Sequence, residues 1–401
     1  MKSKQDKRHF YLVSTIHLII FVPFVIQKTI GPDWDSYALI GTITNLYKDS
    51  LYFPSRPPGF PVYEFFLTGL YSLSNILNID FEVVFILSQY LFVLANNYLI
   101  YKFFLKLAYK NYLLYYVAVF SPIYLTSGLS IIDYHAGLLF GFLGIYVALY
   151  KPQSIYFVSI FLAISSGIRL SNLLFFIVVV GILLGNKIEF RKIVYFSSIT
   201  LFLSFVIYIP GYINLWNSSL SNNLTNYFDM VCVLNLTNID HSLLDRLGRF
   251  VLKQLDFLGI VGSIVVLICL TKIRKENIYN NYYFFMIFIL FQISFLRLPT
   301  EEGHLLPAFV AFIFILNSLK IKDIFLMIIL ISTLLSNFLF ISIYDVDTPD
   351  QATEIYLNFE LEQGLLFKDF EARENIGKDK KYHYENSYYS IKDVWKGGCP
   401  N

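Results

Sequence analysis

Two aspartates and an arginine-proline turn follow the first apolar segment of the chain. Asp33 and Asp35 stand in residues 31–35 (GPDWD), and Arg56 opens residues 56–58 (RPP). Because one residue separates the carboxylates, both can approach one ligand, and either can accept a proton from an attacking hydroxyl. Ionisable groups are costly beside hydrocarbon, so their presence near a helix end favours a functional site. The alternative is a helix start, since Gly-Pro-Asp is also a capping signal.

Three arginines, Arg56, Arg169 and Arg297, are predicted at helix ends on the same side of a membrane as these carboxylates. Guanidinium groups are shaped to bind phosphate through paired hydrogen bonds, so the arginines indicate an anionic ligand. Each arginine could instead snorkel to the interface or form an ion pair, with Glu301, Glu302 or Asp133 as the candidate partners.

A histidine with two acids opens a late apolar helix in residues 301–307 (EEGHLLP). His304 faces the same predicted compartment as Asp33, and we interpret it as a phosphate or sugar contact. A lone histidine is usually structural. Glu301 and Glu302 could contact a ligand or could be helix-start charges that complement the helix dipole.

Hydrophobic residues make up 56% of the 401 positions and charged residues only 15%. This composition is too apolar for a soluble domain of this size and indicates an integral membrane protein. The sequence contains no concentrated basic face, which argues against a nucleic-acid partner. Its three cysteines lack the spacing of a zinc site.

Windows of roughly 20 apolar residues predict an all-α integral membrane protein with about 11 transmembrane helices. They lie near 10–27, 82–101, 112–128, 135–150, 154–168, 171–186, 193–212, 255–271, 281–297, 304–319 and 323–343. Residues 61–77 are also apolar, but we interpret them as an interfacial helix in the first external loop. If they spanned the membrane, the lysines at 102, 106 and 110 would lie outside, against the positive-inside rule.

This topology places every basic cluster in the cytoplasm and most other polar chemistry on the opposite side. Residues 1–343 then form one polytopic transmembrane domain, and residues 344–401 form a small extracytoplasmic tail. Cys232 and Cys399 would share the oxidising side, which predicts a disulfide between the tail and the loop at 213–254.

The order of these features resembles the GT-C superfamily of membrane glycosyltransferases, above all the lipid A aminoarabinose transferase and protein O-mannosyltransferase type. The resemblance covers mainly residues 1–170 and 297–310. It rests on Asp33 after an anchor helix, the Arg56 turn before an interfacial helix, and residues 304–307 (HLLP) late in the chain. In those relatives an Asp-Glu pair is usual, whereas Trp34 follows Asp33 here.

The resemblance implies inverting transfer of a sugar from a polyprenyl (dolichyl or undecaprenyl) phosphate to a lipid, glycan or protein acceptor. The enzyme would lie in the cell membrane, or in the endoplasmic reticulum membrane of a eukaryote, with an extracytoplasmic active site. Asp33 would be the general base and Asp35 a second carboxylate at the reaction centre. The donor phosphate would be bound by Arg56, Arg169, Arg297 and His304, and the acceptor or sugar by Asp133, Glu301 and Glu302. Asp33 and Asp35 could hold a divalent metal, which nothing in the sequence requires.

Two other functions remain open. An O-antigen-type polysaccharide polymerase also has about eleven spans and external arginines, and Arg246 and Arg249 are consistent with that function. A transporter would place ionisable residues in mid-helix or break its helices at the bilayer centre. The early position of the charged motif and the helix-end positions of the ionisable residues favour the glycosyltransferase.

Overall fold

Apolar helices dominate the computed structural model of the chain. It describes residues 2–32, 34–50, 52, 54–55, 59–107, 111–217, 243–297, 302–342, 345–346, 355–356 and 360–378. The chain divides into two units. Unit 1 comprises Met1–His17, Asn97–Ser127 and Ile239–Glu371, and unit 2 comprises Leu18–Asn96, Gly128–Asn238 and Ala372–Asn401.

The helices of the first half of the described chain are α1 (Lys2–Gln27), α2 (Trp34–Asp49), α3 (Pro61–Leu77), α4 (Phe81–Lys106), α5 (Tyr112–Phe120), α6 (Pro122–Leu129), α7 (Tyr134–Tyr150), α8 (Ile155–Ile168), α9 (Leu174–Gly185) and α10 (Phe190–Asn217). The later helices are α11 (Leu243–Leu255), α12 (Gly259–Leu270), α13 (Lys275–Asn280), α14 (Tyr282–Arg297), α15 (Leu306–Ser318), α16 (Asp323–Leu335) and α17 (Leu365–Lys378). Short 3₁₀ turns occupy Leu170–Leu173 and Glu302–Leu305.

Three of the described helical segments are long and apolar enough to cross a membrane: Lys7–Gln27, Phe81–Lys106 and Phe190–Gly211. A fourth would be the bent pair α5 and α6, if the two form one span. Seven other apolar segments have 10–17 residues. At 1.5 Å per residue, these reach at most about 26 Å, which is less than a hydrocarbon core of about 30 Å. The described part of the chain is thus mostly helical, and three or four of its segments are long and apolar enough to span a membrane. The number of eleven spans stays a prediction.

Helix α3 has the bounds predicted for the interfacial helix. Pro61 occupies its first turn, where the missing N–H costs no hydrogen bond. Asn78 ends it in the left-handed conformation at φ 54° and ψ 45°, which Asn tolerates. This helix is not among the candidate spans and packs against α2 and α8.

Unit 2 is organised around the hairpin of α7 and α8. Small residues let the two helices approach closely, because a Cβ added at Gly144 would come within 2.9 Å of the Leu162 side chain. The Ser165 hydroxyl also donates to the Gly137 carbonyl oxygen at 2.8 Å. Since the hairpin is antiparallel, the start of α7 lies beside the end of α8.

Unit 1 contains a broken helix. The axes of α5 and α6 differ by 46° at the break before Pro122, which has no N–H to continue the helix. Side chains bind the freed carbonyl groups: the His17 ring nitrogen Nε2 lies 2.9 Å from the Val119 oxygen, and the Asn337 amide donates to the Phe120 oxygen at 2.9 Å. The break is therefore satisfied internally, as hydrocarbon surroundings require.

Among the described residues, four short strands follow α16 in unit 1. β1 (Leu339–Ser342) pairs antiparallel with β4 (Glu360–Gln363), and β2 (Asp345–Val346) pairs antiparallel with β3 (Ile355–Tyr356). Gly364 follows β4 and packs directly against the backbone before β1. A side chain does not fit there, because a Cβ would lie 2.2 Å from the Asn337 carbonyl carbon. The sequence analysis did not predict these strands. The boundary proposed at 343/344 between a transmembrane domain and a tail stays a prediction.

Candidate active site

Asp133 and Arg169 form a buried ion pair in unit 2. Nη1 of Arg169 lies 3.0 Å from Oδ1 and 3.3 Å from Oδ2 of Asp133. The Arg169 side chain is 8% exposed and the Asp133 side chain 1%. Asp133 precedes the first residue of α7, and Arg169 follows the last residue of α8. Each charge thus complements the dipole of its own helix. Of the predicted site residues, these two are brought into direct contact.

Aromatic rings surround the guanidinium of Arg169. Its central carbon lies 4.5 Å from the ring centroid of Tyr134 and 5.7 Å from that of Phe60, the residue before α3. Cation–π contacts of this kind orient a guanidinium as well as stabilise it. The start of α3 is therefore held at the end of α8.

Tyr63 extends the cluster into α4, because Gln89 Nε2 donates to its hydroxyl. Burial raises the pKa of the Tyr63 phenol well above its usual value, and the negative charge of Asp133 raises it further. The phenol is thus neutral at physiological pH and can serve as a hydrogen-bond donor.

Glu64, in the first turn of α3, braces the turn that precedes the helix. Its completely buried carboxylate accepts hydrogen bonds from the Tyr52 hydroxyl, from the Ser55 N–H at 2.7 Å and from the Phe60 N–H at 3.1 Å. Burial raises the pKa of Glu64, and these three donors limit the rise. Arg56 stands between Ser55 and Phe60 in the sequence and lies outside the described residues.

The segment between α1 and α2 runs against the loop that leads to Asp133. The Ile131 N–H donates to the Ile30 carbonyl oxygen at 3.1 Å. Asp35 lies in the first turn of α2 and is half-buried, whereas Asp33 lies outside the described residues. The described residues just before Asp33 thus lie beside residues 130–131, close in sequence to the ion pair.

The remaining predicted site residues belong to unit 1 or lie outside the described residues. His304 is half-buried in the 3₁₀ turn Glu302–Leu305, which belongs to unit 1. Glu301 and the side chains of Arg297 and Glu302 lie outside the described residues, as do Cys232 and Cys399. The roles of all these residues stay predictions.

Two buried charged residues of unit 2 were missed by the sequence analysis: Glu64, and Arg373, which donates to the Thr29 carbonyl oxygen in the segment before α2. Glu64 reads as an ordinary first-turn acid, and Arg373 stands in a polar helix near the end of the chain. Only the pattern of buried positions in the folded chain reveals them, since both side chains are completely buried.

Metal ligands are not clustered in the part of the chain that the structure describes. There, no group of three or more His, Cys, Asp or Glu side chains could hold a metal ion. Because Asp33 lies outside those residues, a divalent metal at Asp33 and Asp35 stays a prediction.

The cluster in unit 2 therefore combines a guanidinium held by a carboxylate, a neutral phenol and the buried Glu64 carboxyl group, with the segment before α2 hydrogen-bonded to the loop that leads to Asp133. Such a set can bind an anion and orient a hydroxyl group. Comparison with known proteins adds nothing to this description: no family model, no curated protein and no solved structure matches the chain.

Proposed function

We propose that the chain is a membrane glycosyltransferase that moves a sugar from a polyprenyl phosphate to a hydroxyl acceptor. The observation that carries the proposal is the gathering of helix ends in unit 2. The start of α7, the end of α8 and Phe60, which precedes α3, meet at the Asp133–Arg169 pair, and the segment before α2 hydrogen-bonds to the loop that leads to Asp133. These are the segments, or the flanks of segments, in which the carboxylates and two of the arginines were predicted.

The reaction needs few groups. The acceptor hydroxyl oxygen attacks the anomeric carbon of the sugar, and its proton passes to the carboxylate of Asp33. The bond between the anomeric carbon and the phosphate oxygen breaks, and its electron pair leaves with the polyprenyl phosphate. Attack from the face opposite the leaving group inverts the anomeric configuration.

Arg169 suits the phosphate end of this reaction. Asp133 and the Tyr134 ring fix the orientation of its guanidinium, so binding a phosphate costs little side-chain entropy. In the proposal, Arg56, Arg297 and His304 supply further positive charge or hydrogen bonds to the leaving phosphate. Asp35, Asp133, Glu301 and Glu302 remain the candidate contacts of the acceptor or sugar. A lipid-linked donor also accounts for the apolar helices around the site, because such a donor resides in the bilayer.

The activity can be measured with the purified chain in liposomes. A panel of dolichyl- and undecaprenyl-phosphate sugars, labelled in the sugar, is offered with lipid, glycan and protein fractions as acceptors. The proposal expects label to move from one donor to one acceptor fraction, and Arg169→Ala to weaken donor binding as well as the rate. Absence of transfer from every donor would contradict it.

A transporter is the second candidate, because the structure breaks α5 from α6 and buries His17 in mid-helix, which the sequence analysis did not anticipate. Transporters use unwound carbonyl groups as ion ligands. Here His17 and Asn337 already bind two of those carbonyl groups, which favours a structural role for the break. Uptake of free labelled sugar into the same liposomes, without any lipid-linked product, would favour the transporter.

A further inference from the structure

Arg373 is a completely buried cation on a helix of mixed polar and apolar composition. The buried positions of α17 include Leu366, Asp369 and Arg373, which lie three or four residues apart and so share one face. A core-facing position normally carries an apolar side chain, since burial of an arginine costs free energy unless it is paired. The position of this charge therefore requires specific contacts.

The described contacts are with the end of α1 and with the segment that joins α1 to α2. Nη1 of Arg373 donates to the Thr29 carbonyl oxygen at 3.0 Å, and the guanidinium carbon lies 5.1 Å from the Phe24 ring centroid. A Cβ added at Gly31, where φ is +117°, would lie 3.0 Å from Nη2. The end of α17 thus lies against residues 24–31, immediately before Asp33.

Tyr37, which follows Asp33 in the sequence, is also affected by the charge of Arg373. Burial raises the pKa of Tyr37 to about 12, and the positive charge of Arg373 opposes that rise. Arg373 therefore acts on described residues both before and after the predicted catalytic pair, Asp33 and Asp35.

Thr29 is covered by this part of α17. Its side chain is 0% exposed, and its methyl carbon lies 3.7 Å from the Cβ position of Gly377, one turn beyond Arg373. Its hydroxyl has no hydrogen-bond partner among the described residues. Cysteine can therefore replace Thr29 without loss of a described side-chain hydrogen bond.

We propose that the end of α17 is part of the active site and that Arg373 is its positioning residue. By holding the Thr29 carbonyl group and packing against Phe24 and Gly31, Arg373 fixes residues 24–31, which lead in the sequence to the predicted catalytic pair. The catalytic consequence rests on the proposed function, whereas the clamp on residues 24–31 does not.

The clamp is tested by labelling Thr29→Cys with a maleimide in detergent micelles. The background carries Ser at the three native cysteines, Cys232, Cys269 and Cys399. Arg373→Met keeps an apolar stem but removes the charge-assisted hydrogen bond, so labelling should accelerate about ten- to a hundredfold. Arg373→Lys retains the charge and a donor and should restore most of the protection. Lys378→Met, at an exposed position of the same helix, should leave labelling unchanged.

Equal labelling of the parent and Arg373→Met would overturn the clamp. If Arg373→Met does not fold, Arg373→Gln provides the second test, because it keeps a hydrogen-bond donor but removes the charge and shortens the side chain that reaches the Thr29 carbonyl group. Labelling should again accelerate. An unchanged rate in that variant would also overturn the clamp.

Activity separates positioning from folding. Arg373→Met should lower kcat for sugar transfer at least tenfold with donor KM unchanged, and Arg373→Lys should recover most of it. An unchanged kcat in Arg373→Met would remove the positioning role. If labelling behaves as predicted but the wild type transfers no sugar, the clamp stands and the proposed function fails. If the wild type transfers sugar but labelling is insensitive to Arg373, the clamp fails and the function stands.

Discussion

Replacing Arg169 in the Asp133–Arg169 pair should destabilise unit 2 more than replacing Asp133. Arg169→Met leaves the carboxylate of Asp133, which is 1% exposed, buried without its guanidinium. Removing one partner of a buried ion pair costs about 3–5 kcal/mol in the free energy of unfolding. Asp133→Asn should cost less, about 1–3 kcal/mol, because the amide oxygen can still accept from Nη1 and the Tyr134 ring still contacts the cation.

The variant that carries both Arg169→Met and Asp133→Asn measures the coupling energy between the two side chains. Because neither charge remains, the combined cost should be smaller than the sum of the single costs by about 2–3 kcal/mol. Lys28→Met is the matched control, since Lys28 and Asp80 form an ion pair whose side chains are each 53% exposed. Solvent screens that pair, so its loss should have little effect.

Equilibrium unfolding of the purified protein by sodium dodecyl sulfate in mixed micelles, followed by near-UV circular dichroism, gives these free energies. The reasoning is refuted if Arg169→Met is no more destabilising than Lys28→Met. It is also refuted if the two single costs are additive, since charges in direct contact at 3.0 Å must be coupled.

Three further outcomes are expected. Glu64→Gln should lower the free energy of unfolding by about 1–3 kcal/mol, because one of two buried backbone N–H groups loses its acceptor. Since burial raises the pKa of Glu64, the stability advantage of the wild type over this variant should fall as pH rises from 4.5 through the raised pKa, and a pH series of unfolding curves would show it. Gly364→Ala should lower the melting temperature measured by scanning fluorimetry, because its Cβ would lie 2.2 Å from backbone, whereas Gly377→Ala, with its nearest contact at 3.7 Å, should not. Cysteine at Lys106 should resist an impermeant maleimide added outside intact cells, and labelling there would overturn the sidedness.

The sequence predicted those parts of the fold that depend on local signals. The bounds of α3 follow from Pro61 and from the turn at Asn78, and the apolar windows 10–27, 82–101 and 193–212 overlap the three candidate spans. The ion pair of Arg169 was one of the alternatives considered, because a short connection between two helices brings Asp133 and Arg169 to the same end.

The contacts that complete the site could not be predicted, because they join residues far apart in the chain. Arg373 binds a carbonyl group 344 positions earlier, and nothing in its own helix marks it as buried. Glu64 is recognisable only once Tyr52 and Ser55 fold back onto it. His17 stands in an apolar run, and its role depends on a helix break more than 100 residues later.

Replacement of Asp33 tests the central claim most directly. Asp33→Asn keeps the size of the side chain but removes the proton acceptor, and Asp49→Asn, at the exposed end of α2, is the matched control. The measurement is kcat for transfer of labelled sugar from a polyprenyl phosphate in reconstituted liposomes. We predict that kcat falls by about a hundred- to ten-thousandfold in Asp33→Asn and is unchanged in Asp49→Asn, with donor binding retained in both. Normal turnover in Asp33→Asn would contradict the proposed mechanism.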